Sequence, residues 1–195
     1  ALILKPTQES PSINNSGAFK DGLFIVQGEG AQLASVIAEP KPGTKILDCC
    51  SAPGGKSTHM AQLSDDKADI TALDINASRI RLVDDNAQRL GIGCIKTIEA
   101  DSSVYSSDDT YDTVLVDAPC SGLGIMGGKP DIRLTITYDR IGQIRRRQAE
   151  ILDNISKTVR PGGTLVYSTC TINKGENEEQ VQEFLSRNDD FEICR

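Results

Sequence analysis

From Lys45 onward the chain repeats one unit: a short aliphatic and β-branched run, a turn carrying Gly or Asp, then a longer amphipathic stretch. The short runs fall at 45–49, 69–74, 94–100, 113–117 and 163–168, and several are apolar throughout. Parallel strands covered by helices on both faces have that character. The stretches at 55–63, 77–90, 140–159 and 176–186 carry apolar residues at helical spacing, as Ile80, Val83, Ala87 and Leu90 do. Gly91 and Pro161-Gly162 read as helix stops. Because strand–helix–strand crossovers are right-handed almost without exception, this order predicts an α/β fold, a doubly wound open sheet. In such a sheet ligands bind outside the carboxyl ends of the strands. That edge collects Asp48, Cys49 and Cys50 after the first run, then Asp74, Asp101, Asp117 and Cys170 after the later ones.

A length of 195 residues is ample for one core. Residues 1–39 form a lead-in rich in Pro, Ser, Asn and Gly that ends in a helical stretch with Leu33, Val36 and Ile37, and residues 40–195 form the α/β domain. No apolar run suggests a membrane span, and the start, Ala1 to Pro6, lacks the basic region and cleavage site of a secretory leader. A processed chain or an excised fragment is expected from the missing initiator Met. With 21 basic against 28 acidic residues the net charge is −7, which disfavours a stand-alone, non-specific nucleic-acid binder. The six cysteines include no Cys-x-x-Cys pair and the chain has a single histidine, His59, so no metal site is expected. Reduced thiols in a cytoplasmic protein are the better reading for a chain of this size.

The first strand runs into Cys50-Ser51-Ala52-Pro53-Gly54-Gly55-Lys56, a glycine turn feeding a helix N-terminus. Its free N–H groups favour an anionic group such as a carboxylate. A phosphate-binding loop would require Gly where Cys50 stands, and the dinucleotide pattern Gly-x-Gly-x-x-Gly is absent. Lys56 points either into this site or, as an ordinary helix residue, into solvent. Asp74 stands where a carboxylate accepts ribose hydroxyls, and equally where one caps the next helix. Asp101 shares that ambiguity, with an adenine amino group as its ligand alternative. Beyond the fourth run lies Asp117-Ala118-Pro119-Cys120-Ser121-Gly122, and beyond the fifth Ser168-Thr169-Cys170-Thr171. Neighbouring strands lie about 4.8 Å apart, so two thiols and a carboxylate converge on one edge. A single cysteine there would be a small buried hydrophobe; the pair with an acid points to chemistry.

These motifs, with Val26-Gln27, Pro130-Asp131-Ile132-Arg133, Arg147-Gln148 and Glu176-Asn177-Glu178, resemble the Sun (Fmu) family of S-adenosylmethionine-dependent RNA cytosine-5 methyltransferases, of the bacterial 16S ribosomal RNA type. The resemblance covers residues 19–191. It implies a Rossmann-like class I methyltransferase sheet, here expected to lack the final antiparallel strand pair, and S-adenosyl-L-methionine as cofactor. It implies Cys50, Ser51, Ala52, Pro53, Gly54, Gly55 and Lys56 around the methionine part, Asp74 at the ribose, Asp101 near the adenine and Asp117 bordering both ligands. The implied partner is RNA, 16S rRNA, with a single-stranded or flipped cytosine, met by a monomer and with no membrane involved.

Carbon 5 of cytosine is a poor nucleophile until a thiolate adds to carbon 6. By resemblance that thiolate is Cys170, while Asp117 holds a proton toward the ring nitrogen and Cys120 assists product release. The opposite assignment, with Cys120 as nucleophile, is the DNA-enzyme pattern. Arg140, Arg145, Arg146 and Arg147 on one helix, with Lys129 and Arg133 on the preceding loop, either meet phosphates or form a solvated face. Gly127-Gly128 stands where family members commonly carry basic residues. The alternatives are another S-adenosylmethionine-dependent methyltransferase and a catalytically idle RNA-binding module.

Overall fold

A computed structural model describes residues 13–194, so the apolar start at 1–6 lies outside the described residues. The elements are α1 (Gly17–Lys20), α2 (Glu29–Ile37), β1 (Lys45–Asp48), α3 (Gly55–Leu63), β2 (Asp69–Asp74), α4 (Ala77–Arg89), β3 (Ile95–Glu99), β4 (Tyr111–Asp117), α5 (Ile132–Thr135), α6 (Tyr138–Ile155), β5 (Val159–Ser168) and α7 (Glu178–Leu185). The five strands form one sheet in the order β3-β2-β1-β4-β5, and every pairing is parallel. The winding reverses between β1 and β4, so the ligand crevice of a doubly wound sheet opens at their carboxyl ends.

Side chains alternate across the pleat, which divides the core into two layers. Leu47, Leu73, Val114 and Val116 face Ile151, Leu152 and Ile155 of α6 and Phe184 of α7. Ile46, Ile70, Leu115 and Val166 face Ala34 and Ala38 at α2 and Met60 and Ala61 of α3. Nearly all of these side chains are removed from water, and truncating a fully buried Leu such as Leu152 to Ala costs about 2–5 kcal/mol. In α4, Ile80, Val83 and Ala87 form the buried stripe expected of them. The N–H groups of Gly91 and Ile92 close its end on the carbonyls of Gln88 and Ala87, and Gly91 adopts the left-handed conformation that this closure needs.

Three sequence expectations are corrected. Pro161-Gly162 ends no helix: α6 stops at Ile155, a 3₁₀ turn at Ser156–Thr158 follows, and the pair lies inside β5. The β4–β5 register slips there, between Tyr111 and Thr113, and such a bulge accommodates a proline that cannot donate to the ladder. In α2 the large residues Leu33, Val36 and Ile37 are exposed, whereas Ala34 and Ser35 are buried. The small side chains let α2 lie close to α3, where Ser35 Oγ donates to the Lys56 carbonyl. The last helix starts at Glu178, after a 3₁₀ turn at Lys174–Glu176. Among the described residues no helix is long and apolar enough to cross a membrane.

Candidate active site

The loop after β1 is held at several points. The Ser51 N–H and Oγ both donate to the Leu73 carbonyl of β2, at 2.8 and 2.9 Å, and the Gly54 N–H donates to the Ser51 carbonyl at 2.7 Å. Gly54 is required twice over: its φ is +101°, and a Cβ there would stand 3.1 Å from the Val83 Cα of α4. The first N–H groups of α3, those of Gly55, Lys56 and Ser57, have no hydrogen-bond partner among the described residues and can serve an anionic group such as a carboxylate. Asp48 lies beneath the loop, fully buried, with Oδ2 accepting from Ser57 Oγ at 2.6 Å and Oδ1 without a partner among the described residues. Burial raises its carboxyl to about 7, against the pull of the Ser57 hydroxyl.

At the end of β2, Asp74 is 3% exposed. Its Oδ1 accepts the Asn76 N–H at 3.0 Å and its Oδ2 lies 3.4 Å from Arg79 Nη2, while Asn76 itself caps α4. Asp101 pairs with Arg147 of α6 and accepts from the Ser103 N–H and hydroxyl. The guanidinium, more than any other neighbour, holds this carboxyl down at about 2.

Asp117 closes β4. Its Oδ2 lies 2.6 Å from Lys56 Nζ and its Oδ1 accepts from Ser168 Oγ at 2.8 Å. Lys56 therefore points into the site. Ser168 sits opposite Asp117 in the β4–β5 register, and the sequence reading assigned it no role.

Beyond this pair the two cysteine loops meet. Cys120 Sγ and Cys170 Sγ are 3.1 Å apart, and the Cys170 N–H donates to Cys120 Sγ at 3.3 Å. Cys170 is exposed and Cys120 half-buried. The hydrogen bond from the Cys120 thiol brings Cys170 down to about 7, while that same contact and then burial push Cys120 far up. One sulfur is thereby prepared as thiolate and the other as the thiol that supports it.

The basic cluster divides. Arg147 is committed to Asp101 and Glu150, and Arg145 to Glu179 and Glu183. Among the described residues Lys129, Arg133, Arg140 and Arg146 have no carboxylate within 4.0 Å. Within this cluster these four are the ones without a carboxylate partner. Glu176, fully buried beneath both cysteine loops, is a contact no periodicity or spacing revealed.

A parallel five-stranded sheet whose crevice carries a glycine loop, acidic strand ends and paired thiols defines a Rossmann-like methyltransferase domain. At the level of the fold, a SAM-dependent O-methyltransferase from Thermotoga maritima superimposes with a TM-score of 0.60 at 16% identity, covering 88% of this chain and 52% of that one. The NSun6 structure from Pyrococcus horikoshii, solved with SFG, gives a TM-score of 0.85 at 35% identity over 92% of this chain and 46% of its own. A probable ribosomal RNA small subunit methyltransferase B from Bacillus subtilis (strain 168) is 38% identical over 177 residues, 89% of this chain and 40% of that protein. The Salmonella newport (strain SL254) ribosomal RNA small subunit methyltransferase B is 39% identical over 176 residues, 88% of this chain and 40% of its own length. The chain thus spans about 40% of these curated relatives. Residues 35–195 match the model of the 16S rRNA methyltransferase RsmB/F family, and the chain belongs to that family.

Proposed function

We propose that this chain is the catalytic part of an S-adenosylmethionine-dependent methyltransferase that modifies carbon 5 of a cytosine in 16S rRNA through a covalent Cys170 adduct. The observation that carries it is the thiol pair, with Cys170 exposed, 3.1 Å from Cys120 and lowered to about 7. The crevice fits the cofactor: a side-chain-free glycine turn, a helix N-terminus for a carboxylate, and the orphaned Asp48 Oδ1 beneath it. Cys50 to Lys56 would hold the methionine part, Asp74 the ribose, and Asp101 would lie near the adenine. When bound, S-adenosylmethionine supplies an electrophilic methyl group on a sulfonium.

The Cys170 thiolate adds to carbon 6 of a single-stranded or flipped cytosine, and the electron pair displaced from the 5,6 double bond makes carbon 5 nucleophilic. Asp117 carries a proton toward the ring nitrogen, and Lys56, at 2.6 Å from it, stabilises the carboxylate left when that proton is given up. Once carbon 5 is methylated it must lose its proton; the electrons of that bond then restore the double bond and expel the Cys170 thiolate. The carbon 5 proton passes to water, the ring nitrogen gives its proton back to Asp117, and the Cys120 thiol stabilises the departing Cys170 thiolate by hydrogen bonding, so the balance is one methyl gained and one proton released. One chain supplies both thiols and the cofactor loop, so a monomer suffices, and the substrate places the work in the cytoplasm. RNA is gripped locally, by Lys129, Arg133, Arg140 and Arg146, rather than by overall charge.

The test uses labelled S-adenosylmethionine and 16S RNA, followed by digestion to nucleosides. The wild-type chain yields labelled 5-methylcytidine, Cys170→Ala yields none, and Cys120→Ala accumulates a covalent protein–RNA complex. Label in any other nucleoside overturns the reaction, and the reverse mutant pattern overturns the cysteine roles.

A further inference from the structure

Glu176 is a fully buried acidic side chain with no lysine or arginine within 4.0 Å among the described residues. An acid in that setting persists only if hydrogen-bond donors surround it. The donors here belong to the two loops that carry the cysteines. Glu176 Oε2 accepts the backbone N–H of Ser121, next to Cys120, at 2.8 Å, and Gln148 Nε2 at 3.3 Å. Oε1 accepts Ser121 Oγ at 2.6 Å and Thr171 Oγ1, next to Cys170, at 3.4 Å. The two hydroxyls also meet each other, 2.8 Å apart. Gln148, itself fully buried, reaches the Pro119 carbonyl at 2.9 Å, so α6 braces the same loop.

We propose that Glu176 is the positioning residue for the cysteine pair: its buried carboxyl ties the chain beside Cys120 to the chain beside Cys170 and holds the two sulfurs within hydrogen-bonding distance. The proposal rests on the covalent role assigned to Cys170. Glu176 touches neither sulfur. It acts because each cysteine has as its neighbour a hydroxyl residue that binds this one carboxyl, and because β4 and β5 diverge into separate loops beyond Asp117 and Ser168. Beside the clamp, the 3.1 Å contact is supported by the Cys170 N–H to Cys120 bond, by the Ser121–Thr171 hydroxyl contact and by the Gly124 N–H, which donates to the Cys170 carbonyl at 3.0 Å; the carboxyl is the group that gathers donors from both loops at once. The remaining titratable neighbours of Cys170, namely Asp117 and Lys56, are held by Ser168 and by each other, independently of Glu176.

The experiment measures Cys170 alkylation against pH in the full chain, with the site identified by peptide mass, together with methyl-transfer kinetics. Glu176→Ala is expected to move the alkylation midpoint up from about 7 toward the ~8.5 of a free thiol. Its kcat should fall on the order of 10²-fold, the scale of a 1 Å misplacement, with KM for S-adenosylmethionine within about twofold of wild type. Glu176→Gln keeps an acceptor for the Ser121 N–H and is expected to shift the midpoint less. Ser121→Ala, which removes the hydroxyl alone, should shift it in the same direction. A midpoint unchanged in all three variants, whatever happens to their melting temperatures, overturns the clamp; if Glu176→Ala does not fold, the other two decide. Alkylation needs no RNA, so a wild-type chain that methylates no cytosine would refute the proposed reaction while leaving the clamp separately readable.

Discussion

Removing the Cys120 thiol should make Cys170 a less acidic but intrinsically stronger nucleophile, and the two effects oppose each other in a measurable way. In the wild-type chain Cys170 titrates at about 7, principally because Cys120 donates a hydrogen bond across 3.1 Å. At pH 7 about half of it is therefore thiolate. In Cys120→Ala that donor is gone, and a midpoint near the free-thiol ~8.5 leaves about 3% thiolate at pH 7, a loss of roughly 16-fold. Nucleophilicity rises with thiol pKa, with a Brønsted slope of about 0.4–0.5, so each variant thiolate should react roughly fivefold faster. The population effect wins at pH 7, where the variant is alkylated about threefold more slowly, and loses above about pH 8, where it is alkylated faster. Iodoacetamide labelling across pH 5.5–10, quantified on the Cys170 peptide, reads both limbs. Rate profiles that never cross, or a midpoint that stays near 7 in the variant, would refute the sulfur-to-sulfur account and assign the shift to Lys56 or to the loop backbone.

Other expectations follow from the same geometry. Asp48 is neutral in the folded chain up to about pH 7 and ionised in the unfolded chain above about 4, so stability should fall as pH rises between these values. Asp48→Asn should abolish that slope and be more stable than wild type by about 1–3 kcal/mol at pH 8, measured by urea unfolding. Asp101 runs oppositely: its pair with Arg147 contributes stability that is full above about pH 4 and is lost as pH falls through about 2. Because this pair is partly exposed, Arg147→Met should cost only about 0.5–1 kcal/mol at pH 7 and nothing near pH 2. Gly54→Ala forces a side chain into a left-handed backbone 3.1 Å from α4 and should cost about 1–3 kcal/mol in unfolding experiments while weakening S-adenosylmethionine binding in calorimetry.

The order and type of the elements were legible because each depends on a short period. Residues 69–74 and 113–117 are apolar enough to be strands with both faces covered, and 77–90 carries a helical stripe. The carboxyl-edge rule then brought Asp117, Cys120 and Cys170 to one place from residues as far as 53 apart in the chain. Pro161-Gly162 misled because a bulge and a helix stop draw on the same residues, and only the pairing with Tyr111 and Thr113 distinguishes them. The exposed face of α2 was hidden for a similar reason: helical spacing marks a stripe, but Ala34 and Ser35 could be chosen over Leu33 and Val36 only by the closeness of α3.

Residue type and local spacing determined the winding, the strand ends and the reactive groups, since a thiol or carboxylate keeps its chemistry wherever the chain takes it. What those groups can do was decided in three dimensions. Arg147 became a partner of Asp101 rather than a free phosphate ligand, Lys56 turned toward Asp117, and Glu176 settled beneath two loops that carry its donors. Acidity separates the two cysteines for the same reason. Hydrogen bonding and desolvation act over about 3 Å, and distances of that size between residues 50 positions apart exist only once β4 and β5 lie side by side.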